Sequence, residues 1–475
     1  MQVELPPKLI DAIIYNFRTD RKTLFYCALV CHGWLDRCRY YLFRQITVTA
    51  HPRTPNVNTD NLLDVHTFLV RLRSRRHLAH YVRQVRIERR HTHGGEGQRV
   101  ALPVIVVMLR MLPELRQLHL IEVLLYPLNN FPLESHRGSF SLARLSLQNV
   151  AATSVGSIID VLSLFASIET LAISHFKGDL GPWRPSEISV SQKMKVARLL
   201  TFHVSDVESL AKILDATVEM TEVKHVGFTI AKNMSSSHTN SMLRMMSPIE
   251  ICSLEFDCRR CYTPSTSPII EKLMFQPFNA LETIRFHIAL DKRVDRVDEQ
   301  WECLISSLTV IPRSSVKTLS IHIHFDSMGR DRLAEMIEFI DPDTKRPSEH
   351  LFSLEWSAFT TMVSSMSNLQ TLSFHIAFNT IPMEYTARES QEYDAICSSL
   401  VKIASREGWQ DRLAISRQIG IWESLDGVDR VAPPKTRMLT SRSLYLARCV
   451  ALHPVLSSGF IPLSRYSFLG KNINV

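Results

Sequence analysis

The sequence predicts an α/β protein: a short N-terminal unit of three helices, residues 1–48, followed by a long, irregular solenoid of parallel strands backed by helices, residues 61–420. Three observations predict it. Apolar residues recur at helical spacing through the first fifty positions. Beyond them one apolar triplet returns at a nearly constant interval. The segments between triplets have helical periodicity, so each strand is followed by a crossover that can lay the next strand parallel to it. Residues 49–60, polar and holding Pro52 and Pro55, read as a linker; residues 421–475, with Pro433-Pro434, fit no repeat and read as a cap or tail.

In the N-terminal unit, Pro7 stands where a helix can begin, because the N–H it lacks would be unpaired there. Leu9, Ile13 and Phe17 recur every four residues with Ile10 and Ile14 beside them, which makes one wide apolar stripe. Asp20 is a candidate N-cap for a second helix through Leu24 to Val30. Gly33 and Trp34 open a third helix that ends near Tyr41-Leu42-Phe43. Three short helices enclose too small a core to hide so many apolar side chains, so the spare face is expected to lie on a partner. The stretch resembles an F-box, whose pattern reads here as Leu5-Pro6, Leu9-Ile10, Ile13-Ile14, Leu29-Val30-Cys31 and Trp34; the family's usual Glu before the first apolar pair is Lys8. That resemblance implies docking on a Skp-type adaptor through Leu5, Pro6, Leu9, Ile10, Ile13, Leu29, Val30 and Trp34.

The triplet is apolar, two residues, apolar, one residue, apolar. It runs from Val82-Val85-Ile87 to Leu369-Leu372-Phe374, with middle residues Val85, Leu118, Leu145, Leu171, Leu200, Val226, Leu254, Ile284, Leu319 and Leu372. From Leu118 to Ile284 seven consecutive units keep a step of 26 to 30 residues. Ser157–Phe165 and Val207–Leu214, between triplets, read as helices. A period of this length with one strand and one helix per unit resembles leucine-rich repeats. The Asn or Cys which that family carries three residues after the last apolar position is Val150 in one unit and Phe176 in the next. Asp326–Met366 reads as an insertion with helical pieces, one of them Arg330–Ile340, around a polar loop. A helix over Ala395–Ala404 is expected to lead into a last strand near Leu413-Ala414-Ile415.

Composition excludes several classes. With 45% hydrophobic and 21% charged residues in 475, the chain is an ordinary folding sequence. The longest apolar run, Val100–Leu109, is half of what a spanning helix needs, roughly twenty residues. There is no basic, apolar, small-residue series of a secretory signal at the N-terminus. Nine scattered cysteines, an odd number, read as reduced thiols of a cytoplasmic or nuclear protein. Only fifteen glycines disfavour phosphate loops; His91-Thr92-His93-Gly94-Gly95-Glu96-Gly97 lacks the Gly-Lys-Ser/Thr ending and reads as a surface loop. Cys258-Arg259-Arg260-Cys261, near Cys252, has one half of a zinc spacing and no second half, so no metal is expected. No nucleophile or paired carboxylates stand out and no cofactor is implied. Arg71, Arg73, Arg75, Arg76, Arg83, Arg86, Arg89 and Arg90, opposed by Glu88 alone, suit an acidic partner or nucleic acid.

In apolar-x-apolar the residue x points away from the core, because strand side chains alternate. His119, His203, His287, His322, His324 and His375 fall at such positions, with Gln148, Thr201, Asp257 and Arg285. In a leucine-rich-repeat horseshoe this is the concave sheet, and these side chains, Thr201 and Asp257 apart, are the candidate target-binding residues. An acidic segment is expected to bind them more tightly as pH falls from about 8 toward 6. Together the two resemblances imply the substrate-recognition subunit of an SCF-type ubiquitin ligase, non-catalytic, with the repeats holding a protein target. The alternative is a basic scaffold on nucleic acid through arginines 71–90.

Overall fold

The computed structural model describes residues 6–50, 63–89, 98–126, 132–176, 192–202, 204, 207–229, 251–257, 280–290, 301, 304–305, 307–309, 311, 314–326, 356–379, 401, 405, 408–420 and 439–440. Leu5, His203, Arg90, the 91–97 loop, the Cys258–Cys261 pair and the helix expected over Arg330–Ile340 lie outside them, as do most of the linker, of Ala395–Ala404 and of the C-terminal segment.

The chain is α/β, and its described residues build one 15-stranded sheet whose long strands follow one another across it in sequence order. Every pairing along that path is parallel until the last, where Leu439–Thr440 meets Ala414 and Ile415 antiparallel. The triplets explain the order. Val85, Leu118, Leu145 and Leu171 are partners in successive strands, and Leu254, Ile284, Leu319, Leu372 and Leu413 continue the line. All of these but Leu413, at 7%, are completely buried. Phe228, Phe256 and Phe286 sit two residues on, facing the same core, the first pair edge-on at 4.8 Å and the second stacked at 4.9 Å.

One triplet is corrected. Ala197-Leu200-Phe202 is out by one residue: Leu199, not Leu200, pairs with Leu171 and Val226. Val196 and Leu199 are fully buried in the core, whereas Leu200 packs against Ala172 on the other face. Because side chains alternate, a one-residue slip exchanges the faces. Thr201 therefore faces the core, where its hydroxyl donates to the Gly227 carbonyl at 3.3 Å.

Three residues beyond the last core position of four successive units stand Val123, Val150, Phe176 and Val204, all buried in the same core. Before the first three, Glu122, Asn149 and His175 take left-handed backbone, with φ of 53°, 48° and 51°. The N–H of Glu122 donates to the Gln148 carbonyl and that of Asn149 to Ser174, so each turn is tied to the next strand. Apolar packing holds these turns where a polar ladder would otherwise run.

Helices cover one face. Val65–Ser74 is capped by Asp64, whose carboxylate accepts from the Thr67 N–H at 2.8 Å, and Leu102–Met111 carries Pro103 in its first turn. Val155–Ser163, Val207–Thr217 and Trp356–Ser364 follow. A second, three-stranded parallel sheet of Gln98–Ala101, Val123–Tyr126 and Ala151–Ala152 was not anticipated. Among the described residues no helix is long and apolar enough to cross a membrane.

The N-terminal helices are α1 (Pro7–Asn16), α2 (Arg21–Cys27) and α3 (His32–Phe43). Asp20 caps α2, accepting from the Thr23 N–H at 3.0 Å and its hydroxyl at 2.6 Å. Asp11 and Arg37, 2.8 Å apart, tie α1 to α3. The main sheet begins earlier than the sequence suggests: Gln45–Thr49, partly inside the range read as helical unit, already pairs with Gln84–Glu88.

Candidate functional site

Two regions draw together the residues singled out in the sequence. The first is the three-helix unit. Among the described residues its fully buried core is Ile14, Leu24 and Cys38, with Ile10, Cys27, Ala28, Trp34, Tyr41 and Leu42 packed against it. Ile13 is half-buried and Pro6 exposed. Leu9, Leu29 and Val30 are 47%, 70% and 65% exposed, and Tyr15, Phe17, Phe25 and Tyr26 join them. That is seven of the nine large apolar side chains which the described residues leave in solvent. The stripe on α1 is therefore divided: Ile10 and Ile14 close the unit, while Leu9 and Phe17 face outward.

The second is a polar row across the sheet face opposite the core. Parallel pairing puts Asp257, His287, His322, His375 and Ser416 in one register line over five strands. Adjacent strands lie about 4.8 Å apart, so identical rings in register must stack. They do, with centroids 4.4 Å apart for His287–His322 and 4.3 Å for His322–His375. His287 Nδ1 is 3.0 Å from His324 Nε2, and His375 is hydrogen-bonded to the Ser416 hydroxyl. At the other end His287 Nε2 lies 3.3 Å from Glu255 Oε1. Arg198 pairs directly with the same carboxylate, and Arg285 stands 3.8 Å from it.

Arg198 reaches Glu255 across an intervening strand, which presents Gly227 directly beside Glu255 and beside Leu200. A Cβ there would come within 2.7 Å of Leu200 and 3.4 Å of the Glu255 Cβ. Glu255 was missed in the sequence, yet it is the x of Leu254-x-Phe256 and carried the same signal as Asp257. Arg198 had no such signal until the register of its strand was corrected.

The electrostatics follow from burial and neighbours. Burial alone would raise the Glu255 carboxyl; the His287 contact and the charges of His287, Arg198 and Arg285 outweigh it and bring it to about 2. Burial pushes His322 well below the ordinary histidine value, and His287, His375 and His324 push it further. Burial and then Arg285 bring His375 to about 4. Charging of these two imidazoles thus lies on the acid side of the pH 8-to-6 window expected from the sequence, and their neutral forms prevail throughout it.

The histidines are also less open than alternation implies. His287 and His324 are 4% and 6% exposed, covered by their neighbours in the row. The accessible edge is Arg285, whose side chain is 41% exposed, with half-buried His322 and His375. His119 and Gln148 lie several strands away; His119, 2% exposed and 3.2 Å from Gln84 Nε2, is held at about 3 by burial and then by Arg144 and Arg86. The structure thus joins Arg285, His287, His322, His324 and His375 into one site and leaves His119 and Gln148 outside it.

The arginines of 71–90 do not share a face. Arg71 and Arg73 are on the helix Val65–Ser74, with Arg75 and Arg76 just beyond it, all four exposed. Arg83 pairs with Glu114, and Arg86 pairs with Glu88 at 2.6 Å on the sheet face opposite the helices. Among the described residues no group of three or more His, Cys, Asp or Glu is placed to hold a metal ion.

A scan against protein-family models finds no match to this chain, and a search of curated proteins finds none either.

Proposed function

We propose that the chain is an F-box protein with a leucine-rich-repeat body and serves as the substrate-recognition subunit of an SCF-type cullin–RING ubiquitin ligase. One observation carries the reading. Leu9, Leu29 and Val30, which the F-box pattern assigns to adaptor contact, are large apolar side chains standing 47%, 70% and 65% in solvent on a unit whose fully buried core, among the described residues, is Ile14, Leu24 and Cys38. An exposed apolar patch of this kind marks a protein interface. The chain carries out no chemistry itself. It raises the local concentration of target lysines near the conjugating enzyme, as any tether does. The half-open edge of Arg285, His322 and His375 supplies a fixed cation and neutral imidazole hydrogen-bonding groups, which suits a polar, acidic segment of the target.

The nucleic-acid alternative draws less support, because Arg83 and Arg86 are already ion-paired and Arg86 lies on the face away from Arg73. The test is to mix the full chain with a purified Skp-type adaptor and follow complex formation by size-exclusion chromatography. The parent should form a one-to-one complex. Leu9→Asp, which puts a charge into the docking face, should abolish it at a cost of several kcal/mol while leaving the thermal transition unchanged. Equal binding by parent and variant rejects the assignment.

A further inference from the structure

The nine large apolar side chains exposed among the described residues include two outside the helical unit, Val70 at 55% and Val107 at 43%. Both line the same groove, about 670 Å³, between the helices Val65–Ser74 and Leu102–Met111. Its floor is apolar, formed by Leu69, Val70, Val104, Val107 and Met111. Its rim is basic: Arg73, Arg76 and Arg110, with His66 and His80, and no acidic residue lines it. Arg110 is held 3.2 Å from His136 Nδ1. Arg73 and Arg76 make no ion pair or side-chain hydrogen bond among the described residues and stand exposed. Two cations kept beside an apolar trough are a combination that folding alone does not require. Exposed apolar area costs solvation, and unpaired like charges repel.

From this we infer a second docking surface, separate from the helical unit and from the polar row: the groove binds an amphipathic helix of a partner protein, with its apolar stripe on Val70 and Val107 and its acidic flank on Arg73 and Arg76. Each groove-forming helix has ten residues, about 15 Å long, so the bound helix makes roughly three turns of contact. The mode is helix-in-groove, with anchors at i, i+3, i+4 and i+7. Charge complementarity singles out this occupant: a basic or neutral amphipathic helix would leave the rim unpaired, and nucleic acid would leave the apolar floor in water.

The test uses the full chain and two fluorescent synthetic helices of about 14 residues. Both have leucines at those four positions; one is flanked by glutamates and the other by lysines. The Glu peptide should bind in the micromolar range and the Lys peptide at least tenfold more weakly. The double variant Arg73→Glu, Arg76→Glu should reverse that order, and Val107→Asp, at an exposed position, should weaken both peptides tenfold without moving the thermal transition. Failure of the reversal overturns the inference, as does an unstructured oligonucleotide that displaces the Glu peptide at similar concentration. A photo-crosslinking residue at position 107 should capture the peptide; capture of a segment of the same chain instead would show that the groove is filled from within and overturn it too. None of these outcomes depends on the adaptor, so they leave the ligase reading to its own test.

Discussion

The three-helix unit and the sheet solve the burial problem in opposite ways. The unit closes on Ile14, Leu24 and Cys38 and leaves seven large apolar side chains in solvent, whereas the sheet runs one apolar core from Val48 to Ile415. What the sheet presents on its other face around this row is polar: stacked imidazoles, a carboxylate beside them, and serines that meet across strands, with Ser320 and Ser373 2.7 Å apart. The lesson is that the two regions are built for different kinds of contact. The helical unit leaves large apolar side chains in solvent; the sheet buries its apolar residues and offers directional polar groups at a half-open edge.

The largest effect expected from breaking the comparison is in the sheet core. Phe256 is fully buried between Phe228 and Phe286, so Phe256→Ala should cost about 3–5 kcal/mol, read as a lower denaturant midpoint at unchanged slope. A loss below about 1 kcal/mol would mean that the aromatic column is not part of a packed core.

Acid should separate the regions next. His375 is held at about 4, and His322 well below the usual value, in the folded state, whereas the unfolded chain takes up these protons near 6.5. The unfolded state then binds more protons, so stability falls as pH drops from 6.5 toward 4, by on the order of 2 kcal/mol for His375. Glu255, held at about 2, well below the ordinary carboxylate range, adds a second loss as pH falls through that lower interval. Thermal melts at stepped pH should show both, and His375→Gln should flatten the first. A variant with the parent's slope between pH 6.5 and 4 would show that His375 is not held neutral by the row.

A smaller effect sharpens the geometry of that row. Gly227→Ala places a methyl against Leu200 and beside Glu255, which should cost about 1–2 kcal/mol by overpacking. A neutral or stabilising outcome would show that Leu200 has room to turn away.

Much of this architecture was legible in the residues. Nine of the ten triplets fall in register, because two-residue alternation on a buried face leaves strand sequences little freedom. The exception is instructive. Val196-Leu199-Thr201 and Ala197-Leu200-Phe202 are adjacent readings, and a rule that counts apolar residues chooses the one ending in Phe202. The protein uses the one ending in Thr201, whose hydroxyl finds the Gly227 carbonyl and so can be buried. The second sheet was not legible, since strands of two to four residues are too short to show a period. In the polar row the histidines were legible by alternation. Their closure around Glu255 was not, because Arg198 meets it over two strands and 57 residues, a relation that only register creates.

The contrast between a helical unit that leaves apolar side chains in solvent and a sheet that buries its own is tested most directly by hydrogen–deuterium exchange on the full chain, with and without a purified Skp-type adaptor. The account predicts new protection confined to residues 6–43, strongest around Leu9 and Leu29–Val30, with the strands bearing His287, His322 and His375 unchanged. Protection of those strands with none in α1 to α3 would contradict it.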